Sequence, residues 1–223
     1  MDVQHMLLRW PLVGRENELE KFTAVWAKRR CQGLVISGPA GVGKSRLAEE
    51  YLARAVKAGF ECGRATASAV AATVPLGAIA HLIPAGVDLS DPARGFAEVA
   101  RALAGPSRAR RWAVLVDDLH LLDAASAVLL RQLLDVGVVK LISTARTGGP
   151  VSEAVETLCH GHAVHRIDLS PLGPKQLEAV MRAALGGGGG AAHPPRAADC
   201  IRRHRAVPGG VGAGRPGRGD AGQ

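Results

Sequence analysis

Two hydrophobic periods alternate along most of this chain. Leu34-Val35-Ile36-Ser37 is a short unbroken apolar run, the pattern of a strand buried on both faces of a parallel sheet. After it, Leu47, Ala48, Tyr51, Leu52, Ala55 and Val56 recur at helical spacing, with Glu50 and Arg54 paired one turn apart elsewhere on the surface. Gly59 is a natural stop for that helix. Before the run, a helix is expected to begin near Glu16, burying Leu19, Phe22 and Trp26 and ending among Lys28, Arg29 and Arg30.

The alternation continues downstream. Phe60 to Ala67 reads as a second strand, Pro75 to Ile83 as a short helix, and Pro84 to Ser90 as a loop. Pro92 to Leu103 reads as a helix with Phe96, Val99, Ala100 and Leu103 on one side, broken by Gly105-Pro106-Ser107. Trp112 to Val116 is an apolar strand that ends in Asp117 and Asp118. Asp123 can N-cap the next helix, whose apolar face includes Val128, Leu129, Leu133 and Leu134. Val138 to Ser143 is another strand, leading into Thr144-Ala145-Arg146. A short helix over Val151 to Leu158, a strand over Val164 to Leu169 and a helix over Lys175 to Leu185 complete the series. Strands alternating with helices predict a three-layer α/β domain, a mostly parallel sheet of about five strands covered on both faces.

From Gly186 the pattern stops. Five glycines open a stretch of Gly, Ala, Pro and Arg without apolar periodicity, which is expected to be disordered. The organisation expected is therefore a lead-in over 1–11, one domain over 12–185 and a tail over 186–223. The abrupt loss of pattern is what an off-frame or truncated end would give.

Composition changes the picture little. The formal charge of +8 and pI near 9.9 point towards nucleic acid, but the tail alone carries six arginines against two aspartates. Aromatic residues are 3 % of the chain, so the core is expected to rest on Leu, Val, Ile and Ala. Cys31, Cys62, Cys159 and Cys200 lack C-x-x-C spacing and read as reduced thiols. No apolar run has membrane-spanning length and MDVQHMLLRWP is not a signal peptide, so the expected location is cytoplasmic. Cys159, His160, His162 and His165 lie close together, but their spacing does not set a metal site on one face.

Chemistry concentrates in two stretches. Gly38-Pro39-Ala40-Gly41-Val42-Gly43-Lys44-Ser45 fits G-x-x-x-x-G-K-[ST], the phosphate-cradling P-loop. Its glycines allow φ > 0, so that backbone N–H groups turn inward as an anion nest. Lys44 supplies a point charge to the β- and γ-phosphates, and the Ser45 hydroxyl can ligate Mg²⁺. The following helix aims its positive end at the same phosphates. The second stretch is the Asp117-Asp118 strand end. One carboxylate there can serve Mg²⁺ and the other can deprotonate an attacking water.

Taken together, LVGRENEL at 12–19, GPAGVGKS at 38–45, AVLVDDLHLLD at 113–123, LISTAR at 141–146 and LSPL at 169–172 resemble a known group. They look like the nucleotide-binding domain of AAA-type STAND ATPases, especially those of large bacterial LuxR-type transcriptional regulators. The resemblance implies an AAA-like P-loop NTPase fold with the P-loop strand placed centrally. It implies ATP and Mg²⁺ as ligands, bound with Val13, Gly14 and Arg15 on the adenine side. Gly43, Lys44 and Ser45 would grip the phosphates, with the Arg46 backbone at the helix start. Asp117 would serve Mg²⁺, Asp118 would be the catalytic acid, Arg146 or Thr144 the γ-phosphate sensor, and Pro171 would close the pocket. Lys44, Asp118 and Arg146 are thus the candidate catalytic set.

The small helical domain, winged helix, repeats and helix-turn-helix of such regulators are not visible, so direct DNA binding is not expected. The function expected is an ATP-binding switch that hydrolyses slowly, answering to a regulatory protein partner or to further copies of itself. The alternatives are a subunit of an ATP-dependent AAA machine, for which Arg108, Arg110 and Arg111 form the one local arginine cluster, and a nucleotide-binding fragment without turnover.

Overall fold

A computed structural model describes residues 12–106, 109–148, 151–159 and 163–185. The lead-in, the tail, Arg108, His160 and His162 lie outside the described residues. Five strands form one sheet: β1 (Gly33–Gly38), β2 (Glu61–Thr66), β3 (Trp112–Asp117), β4 (Val139–Arg146) and β5 (Val164–Asp168). All pairings are parallel, in the order β2-β3-β4-β1-β5. Among the described residues six α-helices precede, connect or follow them: α1 (Glu16–Trp26), α2 (Lys44–Lys57), α3 (Pro92–Ala104), α4 (Ala124–Asp135), α5 (Glu153–Cys159) and α6 (Pro174–Leu185).

The alternating strand side chains make two separate cores. Leu34, Ile36, Ala113, Leu115 and Ile142 face α1 and α2, packing against Phe22, Leu47, Tyr51 and Leu52. Val35, Val114, Val116, Val139 and Leu141 face the other way, against Val99, Leu129, Leu133 and Leu158. Every residue of β1 is buried, which is why the strand reads as a solid apolar run rather than an alternating one. Burying each such Leu, Ile or Val contributes roughly 1.5–3 kcal/mol before conformational entropy is set against it.

Four of the aromatics gather in one core, whereas Trp112 and Phe96 belong to the other. Phe22 stacks on Tyr51 at 4.2 Å and on Trp26 at 5.1 Å, and Trp26 meets Phe60 at 5.5 Å. The Tyr51 hydroxyl donates to the Glu18 carbonyl at 2.7 Å, satisfying a fully buried phenol and joining α2 to α1. Burial holds that phenol well above its ordinary pKa.

Several expectations need correction. The P-loop strand β1 is an inner strand, but the middle position belongs to β4. No α-helix forms over Pro75 to Ile83; the stretch holds only a short 3₁₀ turn at Ala80–Leu82, and another at Ala71–Thr73 precedes it. Leu76 has φ +62°, which a right-handed helix forbids, and its N–H is taken by the Asp123 carboxylate at 2.9 Å. α1 stops at Trp26, so Lys28, Arg29 and Arg30 fall beyond its last turn. β4 continues to Arg146 because β1 continues beside it to Gly38. Val128 points outward, and Ala127 and Leu130 complete the buried face of α4 instead. Cys31 and Cys159 are free thiols, whereas Cys62 is disulfide-bonded.

Asp123 does more than cap α4. It accepts from the Ser126 N–H at 2.9 Å, the Ser126 hydroxyl at 2.5 Å and the Leu76 N–H, while 8 % exposed. Asp123→Ala leaves those donors unpaired, and urea unfolding is expected to register a loss of about 2–3 kcal/mol.

Candidate functional site, a P-loop facing an acidic strand end

The crossover from β1 into α2 is built by two glycines. Gly41 has φ +76° and Gly43 φ +92°, and open space surrounds both Cβ positions. Backbone conformation, not crowding, therefore demands glycine there. Gly38 differs, because a Cβ on it would stand 2.5 Å from the Leu169 carbonyl, so the loop leaves the strand pressed against the end of β5. Pro39, Ala40, Gly41, Gly43 and Ser45 are exposed, and Val42 is half-buried.

Lys44 opens α2, is 7 % exposed, and donates from Nζ to the Pro39 carbonyl at 2.7 Å. The ammonium is thereby curled over its own loop. The Ser45 hydroxyl donates to Asp117 Oδ1 at 3.0 Å. The Thr144 hydroxyl, contributed by β4, donates to the same oxygen and accepts from the Asp118 N–H at 2.9 Å. Three neighbouring strand ends thus converge on one carboxylate. Asp118 is held at φ +55°, ψ +47°, a left-handed conformation that an Asp tolerates better than most residues. Its carboxylate is partly exposed at the sheet's C-terminal edge, where parallel sheets bind ligands.

Two further residues belong to this neighbourhood. Glu49, one turn after Ser45, pairs with Arg64 of β2. Burial pushes its carboxyl up; Arg64 opposes this and the nearby Asp117 charge adds to it. His120 is one-tenth exposed, and its Nδ1 stands 4.0 Å from Asp118 Oδ1 with no hydrogen-bond partner. His120 was visible in the DDLHLLD stretch, two residues after Asp118, and Glu49 at i+4 from Ser45. Neither spacing alone separates a site residue from an ordinary surface one.

On the opposite flank stands Arg15, only 6 % exposed. Its guanidinium donates to the Val42 carbonyl at 3.0 Å, the Ser170 carbonyl at 2.9 Å and Glu18 Oε1 at 3.2 Å. The P-loop and the β5–α6 loop, which carries Pro171, are therefore pinned to one side chain. Gly14 has φ +74°, and its carbonyl accepts from Gln176 Nε2 of α6 at 2.8 Å. Val13 and Gly14 are half-buried beside this clamp. Arg146 is exposed at the end of β4, in register with Gly38. Arg46 pairs with Glu50 at 3.7 Å. Arg110 and Arg111 lead into β3 at the sheet end away from the P-loop.

A glycine-rich loop between a buried parallel strand and a helix, facing the carboxylates of another strand, defines a P-loop nucleotide-binding module. A family model described as an AAA ATPase domain matches residues 11–142, more than half of the chain, and the chain belongs to that family. A solved structure of Drosophila ORC bound to DNA aligns with TM-score 0.50 and 15 % identity, over 75 % of this chain and 46 % of that one. At that identity the likeness is one of fold, and this chain spans less than half the length of that relative. No curated protein matches the chain. Among the described residues no helix is long and apolar enough to cross a membrane.

Arg15→Ala removes three hydrogen bonds from a buried cation's partners. Urea unfolding is expected to show a loss of about 2–3 kcal/mol. Arg15→Lys is expected to recover little of it, because an ammonium cannot span two carbonyls and a carboxylate as the guanidinium fork does.

Proposed function

We propose that this chain binds Mg·ATP between the loop ending at Ser45 and the Asp117-Asp118 strand end, and hydrolyses it slowly. The observation that carries this reading is the meeting of Ser45 and Asp117 at 3.0 Å, with the buried Lys44 one residue away. The donor set fits Mg²⁺, since a hydroxyl and a carboxylate oxygen are the hard oxygen ligands that ion prefers. Mg²⁺, when bound there, supplies neutralising charge to the phosphates.

The protein's own groups divide the remaining work. The backbone N–H groups of Gly41 to Ser45 and the α2 N-terminus hold the triphosphate. Lys44 exchanges its Pro39 carbonyl for phosphate oxygens, a local movement of one side chain. Asp118 accepts the proton of the attacking water. The Thr144 hydroxyl is already engaged by the Asp117 carboxylate and the Asp118 N–H, so it fixes that carboxylate and the main chain that carries Asp118. Sensing of the γ-phosphate then falls to Arg146, the exposed cation beside Gly38. Val13 and Gly14 line the adenine side through their backbone, Arg15 holds that turn in place, and Pro171 borders it. The 12–185 segment acts as a nucleotide switch of the kind found in LuxR-type STAND regulators, with a regulatory protein partner reading its state.

Lys44→Ala is expected to weaken mant-ATP binding by at least about tenfold in a fluorescence titration. Asp118→Asn is expected to keep that affinity while phosphate release drops by about 10²–10⁴-fold. Equal turnover in Asp118→Asn and the unaltered protein would exclude Asp118 as the base. Equal nucleotide affinity in Lys44→Ala would remove the site itself.

A further inference from the structure

The sheet end opposite the P-loop is also built, and nothing in the proposed nucleotide chemistry uses it. A groove of about 1010 Å³ runs there beneath the starts of the strands. Residues that immediately precede or open the strands line it: Gln32 for β1, Phe60 for β2, Arg111 for β3, Lys140 for β4 and Ala163 for β5. The C-terminal ends of α1, α2 and α4 close its sides.

Its charge is one-sided. Lys28, Arg29, Arg30, Arg54, Arg111 and Lys140 face one carboxylate, Asp135, and that carboxylate is already held by Arg131. Two of the cations have structural duties. Arg54 pairs with Glu50, and Lys140 donates to the Trp26 carbonyl at 2.8 Å. The other four, all exposed, have no carboxylate partner among the described residues. Helix C-termini attract cations, which accounts for one or two near α1 but not for four left unneutralised around one concavity.

Between the cations the lining is apolar: Ala27 and Ala58 are exposed, and Leu134, Trp26 and Phe60 are buried beside them. Both rings are under 10 % exposed and lie beneath cations, Lys140 at 5.1 Å from the Trp26 centroid and Arg111 at 4.9 Å from that of Phe60. Bases cannot stack on rings covered in this way, which argues against a single-stranded nucleic acid. A cationic rim with an apolar lining, in a concavity at the upper limit of small-ligand pockets, fits a peptide segment with acidic and apolar faces.

We propose that this groove docks an acidic amphipathic segment of a partner protein, at the end of the sheet remote from the nucleotide. The cations neutralise the segment's carboxylates and its apolar side chains lie against Ala27 and Ala58. Binding there leaves the P-loop open, so partner and nucleotide can be held together.

The test uses the full chain and a short fluorescein-labelled amphipathic peptide of Glu, Leu and Ala, read by anisotropy. Saturable binding is expected, weakening with added salt. The Arg29→Glu/Arg30→Glu variant is expected to bind at least about tenfold more weakly, and the further change Arg111→Glu to abolish binding. Mant-ATP affinity and the thermal unfolding midpoint of Arg29→Glu/Arg30→Glu should match the unaltered protein, which separates loss of the groove from loss of fold. Absent binding overturns the proposal, as does binding that the charge reversals leave intact or equal binding of the same peptide with Lys replacing Glu. Tighter binding of a labelled DNA duplex than of the acidic peptide also overturns it, marking the surface as one for phosphate backbones.

Discussion

One carboxylate oxygen organises the P-loop end of this molecule. Asp117 Oδ1 receives hydroxyls from Ser45, which opens the helix after β1, and from Thr144, which belongs to β4. The contact is possible because β4 lies between β1 and β3, so that the loop of one strand and the acid of another face each other across a third. Thr144 is the natural intermediary, since its hydroxyl both gives and accepts and its second bond fixes the Asp118 N–H. A residue without a hydroxyl at 144 would leave both acidic residues less constrained.

Arg15 plays the corresponding part on the other flank. A guanidinium this buried needs full hydrogen bonding, and it finds two carbonyls and a carboxylate. Its two carbonyl acceptors, Val42 and Ser170, lie on separate loops, so the P-loop cannot move far without disturbing the β5–α6 connection. The Val13–Arg15 turn is held on both sides, by the Arg15 guanidinium and by Gln176, which donates to the Gly14 carbonyl. The parallel sheet gives the molecule a polarity as well. N–H groups and carboxylates gather at the strand C-termini, and uncompensated cations gather at the strand N-termini.

Much of this is legible in the amino-acid sequence. The solid apolar runs at Leu34–Ile36 and Ala113–Val116 named strands buried on both faces, because only a covered parallel sheet hides every side chain of a strand. The glycine spacing before Lys44 named the loop, and the Asp123 cap fell where expected. Failures occurred where a contact distant in sequence overrode local preference. Pro75–Ile83 has helix-like apolar spacing, yet the Leu76 N–H is claimed by Asp123 and its φ is positive. Val128 fits a helical stripe but lies on the side of α4 that no neighbour covers.

Local sequence determined the identity of the strands and most helices, the loop glycines, and which residues carry charge or nucleophilic oxygen. Those are properties of neighbouring residues, set by side-chain period and backbone freedom. Strand order lay beyond that reach: nothing local says that β4 should part β1 from β3, or that Thr144 should meet both aspartates. Nor could spacing reveal that Lys28, Arg29 and Arg30, which precede β1, and Arg111, which precedes β3, converge on one groove. Tertiary structure decided these because sheet order and burial arise from packing the whole chain at once, where each strand's place depends on every other.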